Sequence, residues 1–503
     1  MDALQRVRRE GEALESGVTR EHYLSGAGLK PAPELAPLYV RHAAAFDDGA
    51  LAATLDAWRA APEGSDDSRS ARALLEWVLD ARAGRALAEL DEGVAAWEHD
   101  AAVRAPDGRV VPYRRVAIDV ANAADRRERL ELDAARADLV ERELAPMKRD
   151  RIARERDLVE AAQVADGYLA TFETLTTIDL RALAGECRAF LADTRAMWDD
   201  LLPEVLRREL GVAAEEATRA DASALLRASR FDAGFPGGAM ETTIRLQVES
   251  MGIDPRANGR IGYDVGERPG KSPRAFCAPV RVPGEVHLVL RPHGGQGDWR
   301  TFLHELGHAL HFAYTDGALP FELRMLGDYS VTEGYAMLLD HLMQDRGWLR
   351  RHAELTTQAL ADFVRASAFE ELLFLRRYCG KLLYELELHG GATPWNALPE
   401  LYVETLGAAT GFRYHAADAF VDVDPRFYAA RYLRAWQLQA ALAHTLRERF
   451  DEDWWRNPSA GPWVVRELFS RGQSETAHEL AERVSGAPLS FVPLVRGLEE
   501  RLA

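Results

Sequence analysis

Lysine is nearly missing from this 503-residue chain: of 62 basic residues only Lys30, Lys148, Lys271 and Lys381 are lysine, and the rest are arginine. Cysteine is scarcer still, with Cys187, Cys277 and Cys379 far apart and in no metal-ligand spacing. That excludes a disulfide framework and a thiolate metal cluster, and it fits buried, apolar cysteines in a reducing compartment. Long apolar runs are absent too. Nothing approaches the roughly 20 apolar residues that a membrane-spanning helix needs, and the opening "MDALQRVRREGEALESG" lacks the apolar core of a secretory signal. Positive charge is also short. With 62 basic against 80 acidic residues the formal charge is −18, which argues against a sequence-independent grip on nucleic acid. The expectation is a soluble, cytoplasmic chain with neither nucleic acid nor membrane as partner, working as a monomer or small homo-oligomer.

What is present is a globular balance, 47% hydrophobic and 28% charged, long enough for two or more domain-sized cores. Residues 1 to about 230 carry apolar positions at three- and four-residue spacing, as in "SARALLEWVLDARAGRALAELDEGVAAW", and predict almost continuous helix. The densely charged stretch from Arg129 to Phe172 predicts an exposed helical hairpin that Pro146 kinks or interrupts. "FDAGFPGGAM" (231–240) is the clearest break. It sets a working division into a helical N-terminal lobe, 1–235, and a catalytic domain, 236–503.

Past that break the chain turns rich in glycine and proline, and "EVHLVL" (285–290) alternates as a short strand does. "PGKSP" (269–273) is no phosphate loop, because Val265 stands where its first glycine is required and Pro273 where its helix should begin. Helix resumes near Asp298, a plausible N-cap, and recurs over 330–346, 354–388, 395–407 and 425–450. The predicted fold class is mainly α, with a small β-sheet beside one helix.

That helix contains "TFLHELGHALHF" (301–312). Residues four apart share a helical face, so His304 and His308 can aim imidazole nitrogens at one point, with Glu305 displaced beside it. Two imidazoles with an adjacent carboxylate suit a catalytic zinc with a general base. With 14 histidines in the chain, a chance H-E-x-x-H has a probability on the order of a few per cent. Context favours the site: the helical pattern is good, a strand precedes it, and Gly307 in mid-helix makes sense if something packs closely there. A third ligand is needed. The arrangement that adds a third histidine six residues on fails, because Tyr314 occupies that place, and Glu333 in the following helix is the alternative.

"HELGHALH" followed 25 residues later by the glutamate of "SVTEGYA" resembles the thimet oligopeptidase/oligoendopeptidase F family of zinc metallopeptidases, most strongly over 260–345. The resemblance implies a two-lobed helical body with a deep substrate channel, one zinc per chain held by His304, His308 and Glu333, and Glu305 as general base. It implies oligoendopeptidase activity on short peptides. In that family C-terminal tyrosines steady the oxyanion; Tyr428 and Tyr432 match, whereas Arg426 stands near where a histidine is expected and His415 lies further upstream. Glu322, Asp328 and Asp340 are the candidates for orienting a ligand histidine. "PGEVHLVL" (283–290) would be an edge strand that pairs with substrate backbone. Two rivals stay open: a metallocarboxypeptidase on the same zinc framework, and a non-catalytic peptide-binding scaffold.

Overall fold

The structure is a computed structural model and describes residues 3–105 and 107–502. It is mainly α, 72% helical, with two small sheets. The elements that matter below are, in chain order, α1 (Ala3–Gly26), α2 (Asp66–Asp100), β1 (Ala102–Arg104), β2 (Val110–Pro112), α3 (Leu180–Asp193), β3 (Ile261–Val265), β4 (Phe276–Arg281), β5 (Glu285–Leu290), α4 (Gln296–Tyr314), α5 (Tyr329–Asp340), α6 (Thr357–Gly390), α7 (Leu398–Thr410) and α8 (Tyr428–Phe450).

The chain divides into two compact units, each assembled from separate stretches. One comprises Met1–Arg82, Ser229–Arg365 and Arg431–Ala503; the other comprises Ala83–Ala228 and Ala366–Ala430. The composition break at 231–240 lies beside one passage between them, and the other passages fall inside α2, α6 and α8.

In the first unit a three-stranded sheet has the order β3–β5–β4, with β3 parallel and β4 antiparallel to β5. The strand foreseen over 285–290 therefore exists but is central, hydrogen-bonded on both sides, and has no free edge to offer a substrate. Val286, Leu288 and Leu290 bury one of its faces. On the other, α1 stacks Tyr23 on His287, with ring centroids 3.9 Å apart. A second apolar cluster joins α1 and α2 to the segment before α5, through Val7, Leu14, Leu74, Trp77 and Phe321.

The second unit contains the β1–β2 hairpin, packed through Val103 and Val111 on Val116, Val120 and Leu132. The charged stretch foreseen as an exposed hairpin is partly interior. Arg136 is buried between Asp133 and Asp418, Arg129 pairs with buried Asp221, and Glu155 accepts from both Arg151 and Arg426. The helix does not stop at Pro146: it passes through a π-turn at Val140–Leu144 straight into the helix Ala145–Ala161, which carries Pro146 in its first turn. Arg376 of α6, almost wholly buried, donates to the Ala409 and Leu191 carbonyls and the Thr194 hydroxyl. Its charge thereby sits on the C-terminal ends of both α7 and α3, where the helix dipole welcomes a cation.

Candidate metal centre

α4 lies against α5 at Gly307. A Cβ there would come within 2.5 Å of the Ala336 Cα and 2.7 Å of the Tyr335 carbonyl oxygen, so only glycine lets these two backbones meet. Leu303, Leu306 and Leu310 anchor the buried side of α4, at no more than 1% exposure. Its start differs from expectation. Gly295 is the N-cap; Asp298 lies inside the first turn and accepts the backbone N–H groups of His293 at 2.8 Å and Gly294 at 2.6 Å, tying the preceding loop down.

The close crossing brings His304, His308 and Glu333 together, with one ligand atom of each within 4.8 Å of the other two. Glu333 Oε2 is 3.6 Å from His304 Nε2 and 3.7 Å from His308 Nε2. These separations are long for hydrogen bonds. They fit a shared cation, since tetrahedral zinc with bonds of roughly 2.0–2.1 Å sets ligand atoms about 3.3 Å apart. The other ring nitrogens are engaged: His304 Nδ1 lies 2.8 Å from Asp340 Oδ2, and His308 Nδ1 lies 2.8 Å from Thr332 Oγ1. With a cation bound, donation from both Nδ1 atoms would turn both Nε2 lone pairs towards it.

Electrostatics agree. Burial opposes charge on His304, yet the carboxylates of Asp340 and Glu333 outweigh it and hold its pKa well above the usual value. A place that favours a positive charge this strongly also favours a metal cation. Burial takes His308 down to about 4, keeping its imidazole neutral and able to ligate. Burial raises Glu305 to about 6; the charge of His304 opposes this and that of Glu333 reinforces it. The backbone N–H of Cys277, on β4, hydrogen-bonds the Glu305 carboxylate, and β4 is the edge strand on this side of the sheet.

Of the three candidates for orienting a histidine, Asp340 does so. Glu322 is instead buried against Arg8 and Ser70, and Asp328 caps α5 through the Ser330 N–H. The sequence reading missed Thr332, although its place directly before Glu333 was a usable signal, and it missed the Cys277 N–H, which no sequence pattern encodes. Tyr428 and Tyr432 occupy the first two turns of α8, both half-buried. α8 meets α5 where Leu438 fills the space left by Gly334, the residue after Glu333. Arg426 and His415 are committed elsewhere, to Glu155 and Asp133. Lys271 of "PGKSP" is an internal staple, its ammonium donating to the Asp264, Gly266 and Leu290 carbonyls and to the Asp264 carboxylate.

No protein-family model and no curated protein sequence matches the chain. Solved structures do. The M32 carboxypeptidase of Deinococcus radiodurans R1 matches at 17% identity and a TM-score of 0.59, over 99% of this chain and 98% of that one. Metallocarboxypeptidase 1 of Trypanosoma cruzi matches at 14% identity and a TM-score of 0.61, over 99% of both chains. A structure described as a peptidase from Chlamydophila abortus matches at 12% and a TM-score of 0.68, covering 99% of this chain and 89% of that one. The chain shares their fold. Two of these three whole-length matches are carboxypeptidases, whereas the resemblance to thimet oligopeptidases rests most strongly on 260–345.

Proposed function

We propose that this protein is a zinc metallopeptidase acting on short peptides, and that it removes residues from their C-terminus. The observation that supports the first half is the convergence of His304, His308 and Glu333 with Glu305 alongside. Two imidazoles and one carboxylate are the ligand set of catalytic zinc sites that keep a coordination position open. Zinc bound there would supply Lewis-acid chemistry, polarising the scissile carbonyl and favouring deprotonation of the attacking water. Glu305, steadied by the Cys277 N–H, would accept that proton on its carboxylate and deliver it to the departing amine. Its elevated pKa brings it closer to the proton affinity this shuttle needs. Tyr428 and Tyr432 are proposed as hydroxyl donors to the oxyanion.

The second half is supported by the whole-length fold likeness to metallocarboxypeptidases. That likeness supports the carboxypeptidase reading over the oligoendopeptidase expected from the motif alone. A non-catalytic scaffold would have no use for Glu305 beside the ligands. A cytoplasmic location and a monomeric or small oligomeric state belong to the same proposal.

The test is mass spectrometry of products from a peptide set offered with free and with amidated C-termini, with and without a chelator. Stepwise loss of C-terminal residues from free peptides only, abolished by the chelator, is the expected result. Internal cleavage of both sets would return the assignment to an oligoendopeptidase, and cleavage untouched by the chelator would remove the metal from the reaction.

A further inference from the structure

Asp340 is gripped at both oxygens. His304 Nδ1 lies 2.8 Å from Oδ2, and the next residue in the chain, His341, places its own Nδ1 2.6 Å from Oδ1. Adjacent residues on a helix point about 100° apart and do not ordinarily meet. Here α5 ends at Asp340, and a short 3-10 turn, His341–Gln344, begins at once, so the His341 ring folds back on its neighbour. Both side chains are largely buried, each 12% exposed.

A carboxylate held at one oxygen can still swing about its χ2, and its second oxygen, sequestered from water, would lack a donor. Held at both oxygens, its plane is fixed. We infer that His341 is a positioning residue for the metal centre: by donating Nδ1–H to Asp340, it immobilises the carboxylate that orients His304. Among the described residues His308 has no such chain behind it, its Nδ1 facing the Thr332 hydroxyl. Orientation of the two imidazoles is therefore asymmetric, with His304 the one fixed by a charged, doubly anchored partner.

This inference rests on the zinc reading, and the experiment separates the two. Zinc affinity of the full-length protein is measured by competition with a chromophoric chelator for the wild type, His341→Leu and His341→Asn. Leucine fills the space without a donor; the asparagine amide can replace Nδ1–H. Partners that orient metal ligands are worth roughly 10- to 100-fold in affinity, so His341→Leu should bind zinc at least about 10-fold more weakly. His341→Asn should recover most of that loss, and the ligand-field spectrum of the cobalt-substituted protein should move in the first variant and return in the second. Thermal unfolding of the metal-free proteins controls for a merely structural role, which would lower stability and leave affinity of the folded fraction unchanged. Equal affinities in all three proteins, or a loss that asparagine does not restore, would overturn the inference. A wild type that binds no zinc would instead refute the metal site itself.

Discussion

Single residues divide into those that act and those that hold. On the proposed mechanism Glu305 is of the first kind, a base steadied by the Cys277 backbone N–H. Glu305→Gln keeps the shape and removes the base. Turnover should fall by about 10²- to 10⁴-fold while zinc stoichiometry, read by metal analysis, stays at the wild-type value; undiminished hydrolysis would end the mechanism. His389 is of the second kind. It is buried, stacked on Tyr168, and neither ring nitrogen has a hydrogen-bond partner among the described residues. Burial pushes its pKa to about 3, and burial does the same to His311, which hydrogen-bonds the Gly472 carbonyl through Nε2. Both histidines are neutral when folded and titrate near 6.5 when unfolded, so the unfolded chain binds more protons between those values. Stability is full above pH 6.5 and is lost as pH falls towards 3. His389→Phe, which cannot charge, should flatten that acid slope in urea titrations run at successive pH values, with stability at pH 7 preserved. A slope as steep as the wild type's would show that His389 does not contribute to it.

At the scale of elements, the centre depends on how closely two helices approach. Gly307→Ala would gain about 1 kcal/mol of helix propensity, but its Cβ meets backbone of α5, which cannot turn aside as a side chain can. Overpacking of about 1–3 kcal/mol should win. Both stability to urea and zinc affinity should drop, because the displaced helix carries Glu333, Asp340 and Thr332. A variant more stable than the wild type would mean that α5 yields freely. Arg376 works between elements in the other unit. Arg376→Leu leaves the ends of α3 and α7 without their shared donor and should cost at least about 2 kcal/mol in denaturant unfolding; a loss of a few tenths would show that water replaces the guanidinium. Much at this scale was legible in the sequence. The helix periodicity, the spacing of His304, His308 and Glu333, and the anomaly of a glycine in mid-helix all pointed where the structure leads. Strand 285–290 was legible as a strand but not as a central one, since its second partner, β3, pairs with it from 25 residues upstream. The buried arginines were misjudged because charge in a sequence reads as surface until the carboxylates that neutralise it, such as Asp221 and Asp418, are brought in from distant segments.

For the whole molecule, the order of segments matters as much as their content. The motif-bearing unit is built from three stretches of chain, and its interior is shared among them. Trp77 and Leu74 of α2 share a core with Phe321; Tyr23 of α1 covers His287 on the sheet behind α4; Arg431 of α8 pairs with Glu76. A chain cut between residues 235 and 236 retains every proposed ligand in its C-terminal half but loses α1 and α2, and with them the cover of the sheet and the partners of Phe321. Those apolar surfaces would then face water at a cost of about 25 cal/mol per Å², set against a total stability margin of only about 5–15 kcal/mol. The fragment 236–503 expressed alone should therefore aggregate or lack cooperative unfolding, and should bind no stoichiometric zinc. Co-expression with 1–235 should restore both properties, because the cut falls in a connecting segment and leaves the packed elements whole. Circular dichroism melts and metal analysis of the fragment, alone and with its complement, decide the matter. A fragment 236–503 that melts cooperatively and holds zinc unaided would show that the catalytic half is an autonomous domain and that the interleaved core is dispensable.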